Sequence, residues 1–250
     1  MSIAERAELF YRTALNHLAE GGVPFMIGGS HALRAYTGII RDTKDLDIFC
    51  KPEDHRRILE LLINAGYQTE VTYPNWLAKA FHRDHFVDII FSSGNSVCRV
   101  DETWFRHSRP TTVFGVPILL IPPEEMIWSK SYVQDRGRFD GADIAHILLK
   151  QGGTLDWHRL LVRAGPDAEV MFGHLVTFRF VYPSERDAVP EWVMRELWSR
   201  IERQIADPPP TERICRGPLF SPSDYEIDVK EWGYRDARTL VPVSPLPPAR

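Results

Sequence analysis

"MIGGSHALRAYTGIIRDTKDLDIF", residues 26–49, sets a glycine pair behind a short apolar run and an Asp-Leu-Asp sixteen positions beyond the second glycine. Val23 to Ile27 reads as a strand, and Leu46 to Cys50 as a second one. Side chains two apart on a strand share a face, so Asp45 and Asp47 are presented together, their backbones roughly 6 to 7 Å apart. Leu46, Ile48 and Cys50 take the other face, which a helix can cover. Two anions side by side repel each other, and a divalent cation is the simplest remedy. Two carboxylates can hold one Mg²⁺, or bridge two ions about 3.5 to 4 Å apart, the spacing used in phosphoryl displacement.

Further along the chain, "HFVDIIFSS" at residues 85–93 places Asp88 inside an otherwise apolar strand. A carboxylate there is costly unless something compensates it, and metal-bound Asp45 and Asp47 on a neighbouring strand would do so. Gly28-Gly29, between strand and helix, lets the backbone approach a phosphate. The following helix offers free N–H groups and the positive end of its dipole. Ser30 adds a hydroxyl and is placed to cap that helix, which runs to about Tyr36.

Gly-Gly-Ser, a short helix, then Arg41-x-Thr43-x-Asp45-Leu46-Asp47 resembles the minimal, DNA-polymerase-beta-like nucleotidyltransferases, most of all the branch with abortive-infection and toxin-type nucleotidyl transferases. The fourteen residues between Ser30 and Asp45 are at or just beyond the upper end of that family's usual spacing. The resemblance spans about residues 20 to 150. It implies an α+β fold, a nucleotidyltransferase-type mixed β-sheet flanked by helices and followed by a helical region. It also implies roles: Gly28, Gly29 and Ser30 on the nucleotide phosphates, Asp45, Asp47 and Asp88 as metal-binding catalytic carboxylates, and Arg41 as a nucleotide contact. "PPEEMIWSKSYVQDRGRFDGADIAHIL", residues 122–148, resembles the family's following helical segment and puts Lys130 at a basic position that would meet the nucleotide. The implied cofactor is Mg²⁺ or Mn²⁺, with an NTP as co-substrate. The implied reaction moves a nucleoside monophosphate onto an acceptor hydroxyl of a small molecule, a tRNA or a protein. The competing reading is a non-catalytic nucleotide- or partner-binding module on the same fold.

The rest of the chain divides by texture. Residues 3–20 carry Ile3, Ala7, Phe10, Ala14, Leu15 and Leu18 at helical spacing, closed by Gly21-Gly22. A helix from Pro52 to Ala65 buries Ile58, Leu59, Leu62 and Ile63. Strands are expected at 78–82 and 86–91 around a hairpin tip at Arg83-Asp84, and at 116–121. Helices are expected at 124–135, 140–151 and within 154–206. Three segments follow: a core at 1–122, a helical region at 123–207 and a C-terminal segment at 208–250. The last begins at a triple proline, is expected to dock through Tyr225, Trp232 and Tyr234, and ends in the proline-rich "VPVSPLPPAR". Arg99, Arg106, His107 and Arg109 with Trp104 and Phe105 read as a surface loop over buried aromatics.

Composition narrows the class of partner. The 250 residues carry a formal charge of −4 and a pI near 6.1, so no global basic field favours nucleic acid. Cys50, Cys98 and Cys215 match no zinc or disulfide spacing and read as reduced thiols of a cytoplasmic protein. No apolar run approaches the ~20 residues of a membrane span, and the charged, amphipathic start has no apolar signal core.

Overall fold

The computed structural model describes residues 3–41, 43, 45–82 and 85–240. The Arg83-Asp84 tip, the proline-rich tail and the side chain of Ile3 lie outside the described residues. The chain forms two compact units, one ending at Pro122 and the other beginning at Pro123.

In the first unit the elements run α1 (Ile3–Glu20), β1 (Met26–Ile27), α2 (Gly29–Thr37), β2 (Asp47–Phe49), α3 (His55–Asn64), β3 (Gln68–Tyr73), β4 (Leu77–His82), β5 (His85–Ile90), α4 (Glu102–Arg106), β6 (Arg109–Val113) and β7 (Val116–Leu120). Among the described residues, seven strands form one mixed sheet in the order β3-β4-β5-β2-β1-β7-β6. β1 runs antiparallel to β2, with Ile27 opposite Ile48, and parallel to β7, with Ile27 opposite Leu120. β2 and β5 are parallel and set Asp47 opposite Asp88.

The pleat sorts this sheet by chemistry. Leu46, Ile48, Ala78, Ala80, Val87 and Ile89 share one face and are fully buried, as are Leu15 and Leu18 of α1 and Ile58 and Leu62 of α3. Asp47, Asp88 and Lys79 occupy the alternate positions, and in-register pairing lines them up as one row across β2, β5 and β4. Period-2 alternation thus puts the apolar residues under the helices and the charges on the opposite side.

Several elements differ from the sequence expectation. β3 was not foreseen: it is an edge strand with no buried residue and no apolar run. The expected loop around residues 101–109 holds α4, capped by Asp101 Oδ1 on the Thr103 N–H at 2.9 Å, with Trp104 fully buried. The same stretch leads into β6, whose Pro110 is tolerated because β6 is the other edge.

The second unit contains α5 (Pro123–Ser131), α6 (Gly141–Gln151), α7 (Trp157–Ala164), α8 (Ala168–Val181), α9 (Glu191–Ala206), β8 (Ile214–Cys215), α10 (Glu226–Lys230) and β9 (Arg235–Asp236). α5 stops at Ser131, short of the expected 135, and Gln134 instead bridges to Phe139. Trp232, expected to dock the C-terminal segment, is 55% exposed, whereas Tyr234 lies under the Arg213 guanidinium at 4.5 Å. No described helix is long and apolar enough to cross a membrane.

Ile127, Ile147, Leu148, Leu160, Leu175, Phe178 and Val193 form the second unit's core. Within it Glu125, with no exposed side-chain surface, is held by Arg159 and by Arg163 Nε at 3.2 Å. Removing one partner of a buried ion pair strands the others. Glu125→Ala is therefore expected to cost about 3 kcal/mol, read as a lower guanidinium midpoint. Glu191→Gln, which breaks the exposed pair with Arg195, should leave the midpoint unmoved.

Candidate active site

The glycine turn is fixed by the sheet beneath it. Gly28 donates its N–H to the Asp47 carbonyl at 3.0 Å, and its own carbonyl accepts from Ala32 N at 3.1 Å, opening α2. Gly28 is the N-cap residue and no side chain caps the helix. Ser30 therefore sits within the first turn rather than at the cap, because the chain turns one residue earlier than expected. α2 is tied down at its far end, where the Tyr36 hydroxyl donates to the Ile121 carbonyl at 2.6 Å. Gly29 has φ +52, and a Cβ there would lie 1.7 Å from Asp47 Oδ2. A Cβ on Gly28 would lie 2.2 Å from the Phe49 ring. Both glycines are thus required by residues of β2, whatever ligand approaches from outside.

Asp45, Asp47 and Asp88 each bring a carboxylate oxygen within 4.8 Å of the others, all three half-buried. Asp45 precedes β2 rather than lying in it, but the chain stays extended enough for Leu46 O to accept from Asp88 N at 3.0 Å. The Thr43 hydroxyl, 2.6 Å from Asp45 Oδ1, donates to it and orients that carboxylate. The donor set is all hard anionic oxygen, which fits Mg²⁺ or Mn²⁺ and does not suit a thiophilic ion.

The local field is strongly negative. Burial pushes the Asp88 carboxyl above the usual range; the hydrogen bond and charge of Lys79 oppose this, and the charge of Asp45 adds to it. Lys79 Nζ lies 2.5 Å from Asp88 Oδ1. Tyr11 of α1 is pushed up to about 12 by burial and by the charges of Asp45, Asp47 and Asp88. His31, one residue after Ser30, is lowered by burial and by Arg34, against the pull of Asp45. Its Nε2 is buried without a hydrogen-bond partner among the described residues. Phe114 links the two, its ring 5.8 Å from Tyr11 and 5.1 Å from His31.

Two further expected site residues remain, Arg41 and Lys130. Arg41 is exposed in the segment after α2. Lys130 belongs to the second unit, where its ammonium is bound by Asp140 at 2.5 Å and Asp143 at 2.8 Å. Lys79, Tyr11, His31 and Phe114 were not singled out from the sequence. Lys79 was within reach of it: a hairpin tip at residues 83–84 sets residue 79 opposite residue 88. Tyr11 and Phe114 carry no local signal, since only tertiary packing brings them near the carboxylates.

Residues 3–166 match a family described as uncharacterised nucleotidyltransferases. That is well over half of the chain, and the protein belongs to this family. A comparison with curated protein sequences finds no match. Solved structures similar to this chain include the antibiotic-resistance factor ANT(2'')-Ia, at 17% identity and TM-score 0.43, covering 71% of this chain and 93% of that one. The lincosamide antibiotic adenylyltransferase LnuA, bound to lincomycin, aligns at 20% identity and TM-score 0.41, covering 56% and 94%. An antigenic nucleotidyltransferase-like protein from Paracoccidioides brasiliensis aligns at 16% identity and TM-score 0.45, covering 74% and 94%. Family membership, not these distant likenesses, carries the functional reading.

Two measurements probe this geometry. Gly29→Ala forces a Cβ against Asp47 and should abolish Mn²⁺ binding while costing about 1 kcal/mol in backbone strain. Gly22→Ala is the control: its φ of +65 brings similar strain, yet nothing lies within 4 Å of its Cβ. It should lose stability and keep metal binding. The second concerns pH. A carboxyl whose folded pKa is raised stabilises the fold below its unfolded pKa, and loses that contribution as pH rises through the folded value. Ionised Asp88 is therefore a cost at neutral pH. Because Asp88→Asn alone would strand the Lys79 ammonium, the test is made without it: in EDTA, Lys79→Met with Asp88→Asn should melt higher than Lys79→Met alone near pH 7, with the gap closing toward about pH 4. A variant less stable at neutral pH would contradict this account.

Proposed function

We propose that the protein is a metal-dependent nucleotidyltransferase that moves a nucleoside monophosphate from an NTP to an acceptor hydroxyl and releases pyrophosphate. The observation that supports it most is the convergence of Asp45, Asp47 and Asp88 within 4.8 Å, beside a glycine turn whose second residue has room only for hydrogen against Asp47. In this reading Asp45 and Asp47 hold Mg²⁺ or Mn²⁺, and Asp88 joins as the third carboxylate ligand in the nucleotide complex. When bound, the ion neutralises charge on the triphosphate and acidifies the attacking hydroxyl. Gly28, Gly29 and Ser30 bring backbone amides and a hydroxyl to the phosphates at the positive end of α2. Asp88, the carboxyl with the raised pKa, accepts the proton of the acceptor hydroxyl. Arg41 and Lys130 are assigned to the nucleotide; for Lys130 this requires release from Asp140 or Asp143. The catalytic unit is the segment to residue 122. The helical residues beyond about 150 select the acceptor, a small molecule, a tRNA end or a protein side chain. The negative net charge favours the first and last.

The test separates binding from chemistry. The pure protein is incubated with each labelled NTP, Mg²⁺ and a cell extract, and the labelled fraction is identified. Asp45→Asn with Asp47→Asn should lose NTP–Mg²⁺ binding. Asp88→Asn should keep NTP affinity within a few-fold and reduce transfer by roughly 10²-fold or more. Normal turnover in Asp88→Asn removes Asp88 from catalysis. Nucleotide binding with no transfer from any NTP replaces this reading with that of a binding module.

A further inference from the structure

The three carboxylates are held by different partners. Asp45 accepts from the Thr43 hydroxyl, an uncharged donor that fixes the direction of one oxygen and leaves the charge in place. Asp88 is held by a full positive charge. The pairing of β2, β5, β4 and β3 lines up Asp47, Asp88, Lys79 and Glu70 as one row across four strands. Lys79 thus has a carboxylate on either side, and it closes on Asp88, at 2.5 Å. The choice is physical: Asp88 has 13% of its side chain exposed, so its charge is the less hydrated of the two, whereas Glu70 is exposed. The ammonium also lies 4.3 Å from the centroid of the Phe86 ring, which holds it on the same side. With only 23% of its side chain exposed, Lys79 is a fixed part of the site rather than a solvated cation.

Charge follows from this placement. The three carboxylates and one ammonium together carry the charge that a single divalent cation cancels. A second divalent ion on Asp88 would sit against the Lys79 ammonium, adding like-charge repulsion to the cost of dehydrating the ion. We propose that the nucleotide-free centre takes one divalent cation, on Asp45 and Asp47, and that Lys79 is a positioning residue that withholds Asp88 from a second. The inference rests on the metal-dependent reading above and adds to it a stoichiometry and a residue that sets it. It also gives Asp88 a distinct task. A carboxylate held by an ammonium keeps one oxygen engaged and leaves the other, Oδ2, for the acceptor hydroxyl.

Manganese titration followed by electron paramagnetic resonance, without nucleotide, reads the stoichiometry directly. The wild type should bind a single Mn²⁺, and Asp45→Asn with Asp47→Asn should bind none. Lys79→Met keeps the length of the side chain and its contact with Phe86 but removes the charge. It should admit a second Mn²⁺, or bind the first about tenfold more tightly. Lys79→Gln is the second neutral variant, should Met disturb the fold by circular dichroism. Lys79→Arg should restore the wild-type count. Two Mn²⁺ on the wild type, or neutral variants with unchanged count and affinity, would overturn the role of Lys79 while leaving the Asp45–Asp47 site standing. Wild-type binding that survives the double Asn change, or no binding at all, would sink the metal site itself and this inference with it.

Discussion

Asp47 is constrained from three sides. Its carbonyl is bonded by the Gly28 amide, its register partner is Asp88, and its carboxylate lies where a Cβ of Gly29 would stand. Each contact comes from a different element: the β1–α2 turn, β5, and the start of α2. A helix that starts with a single residue between it and the strand must reverse direction sharply, and a positive φ at Gly29 accomplishes that. The same bare α-carbon makes room for the carboxylate. One glycine thus satisfies a backbone demand and a side-chain demand, which is why the turn and the Asp-x-Asp act as a single device though they lie far apart in sequence.

Bringing three carboxylates together opposes folding, and the surroundings show where that cost is borne. β2 and β5 bury Leu46, Ile48, Val87 and Ile89 fully on the face opposite the aspartates. Each of these side chains contributes about 1.5–3 kcal/mol by leaving water, which favours this register against the repulsion. A slip of one residue would exchange the two faces and bury the carboxylates without compensation. Lys79 offsets part of the field directly. Tyr11 records what is left, its hydroxyl held protonated by burial and by the three acidic neighbours.

The sequence made the site more legible than the rest of the fold. The spacing of Gly28, Gly29, Asp45 and Asp47 is local, and the expense of Asp88 in an apolar strand is apparent from its neighbours alone. Strand β4 was legible too, yet its Lys79 passed as an ordinary surface residue, because a cross-strand pair is a two-body fact that appears only when a register is assumed. The edge strands β3 and β6 were missed for a related reason. An edge strand is half solvated, so its composition need not differ from that of a loop, and only pairing with β4 or β7 defines it. α4 is short enough that its Asp101 cap and the burial of Trp104 decide it, not periodicity.

Strain gathers in the same neighbourhood as charge. Among the described residues, Ser96 and Phe114 are the non-glycine positions with positive φ, at 63 and 50. Ser96 is accounted for locally, since its N–H donates to the Ser93 carbonyl at 2.8 Å inside a tight turn. Phe114 has no such excuse. A bulky side chain in the left-handed region persists only where packing over-determines it. The Phe114–Gly115 tip joins β6 to β7, and left-handed conformations at both residues match the twist of a tight hairpin, so the backbone accounts for the φ but not for the phenylalanine. Asn or Gly would sit there at lower cost. What Phe114 adds is its ring, set between Tyr11 and His31. That packing links α1 to the first turn of α2, so the helix that presents Ser30 is held by aromatic contacts within the field of the carboxylates. The order of the site thus depends on a residue remote from it in sequence, whose side chain carries no chemistry of its own.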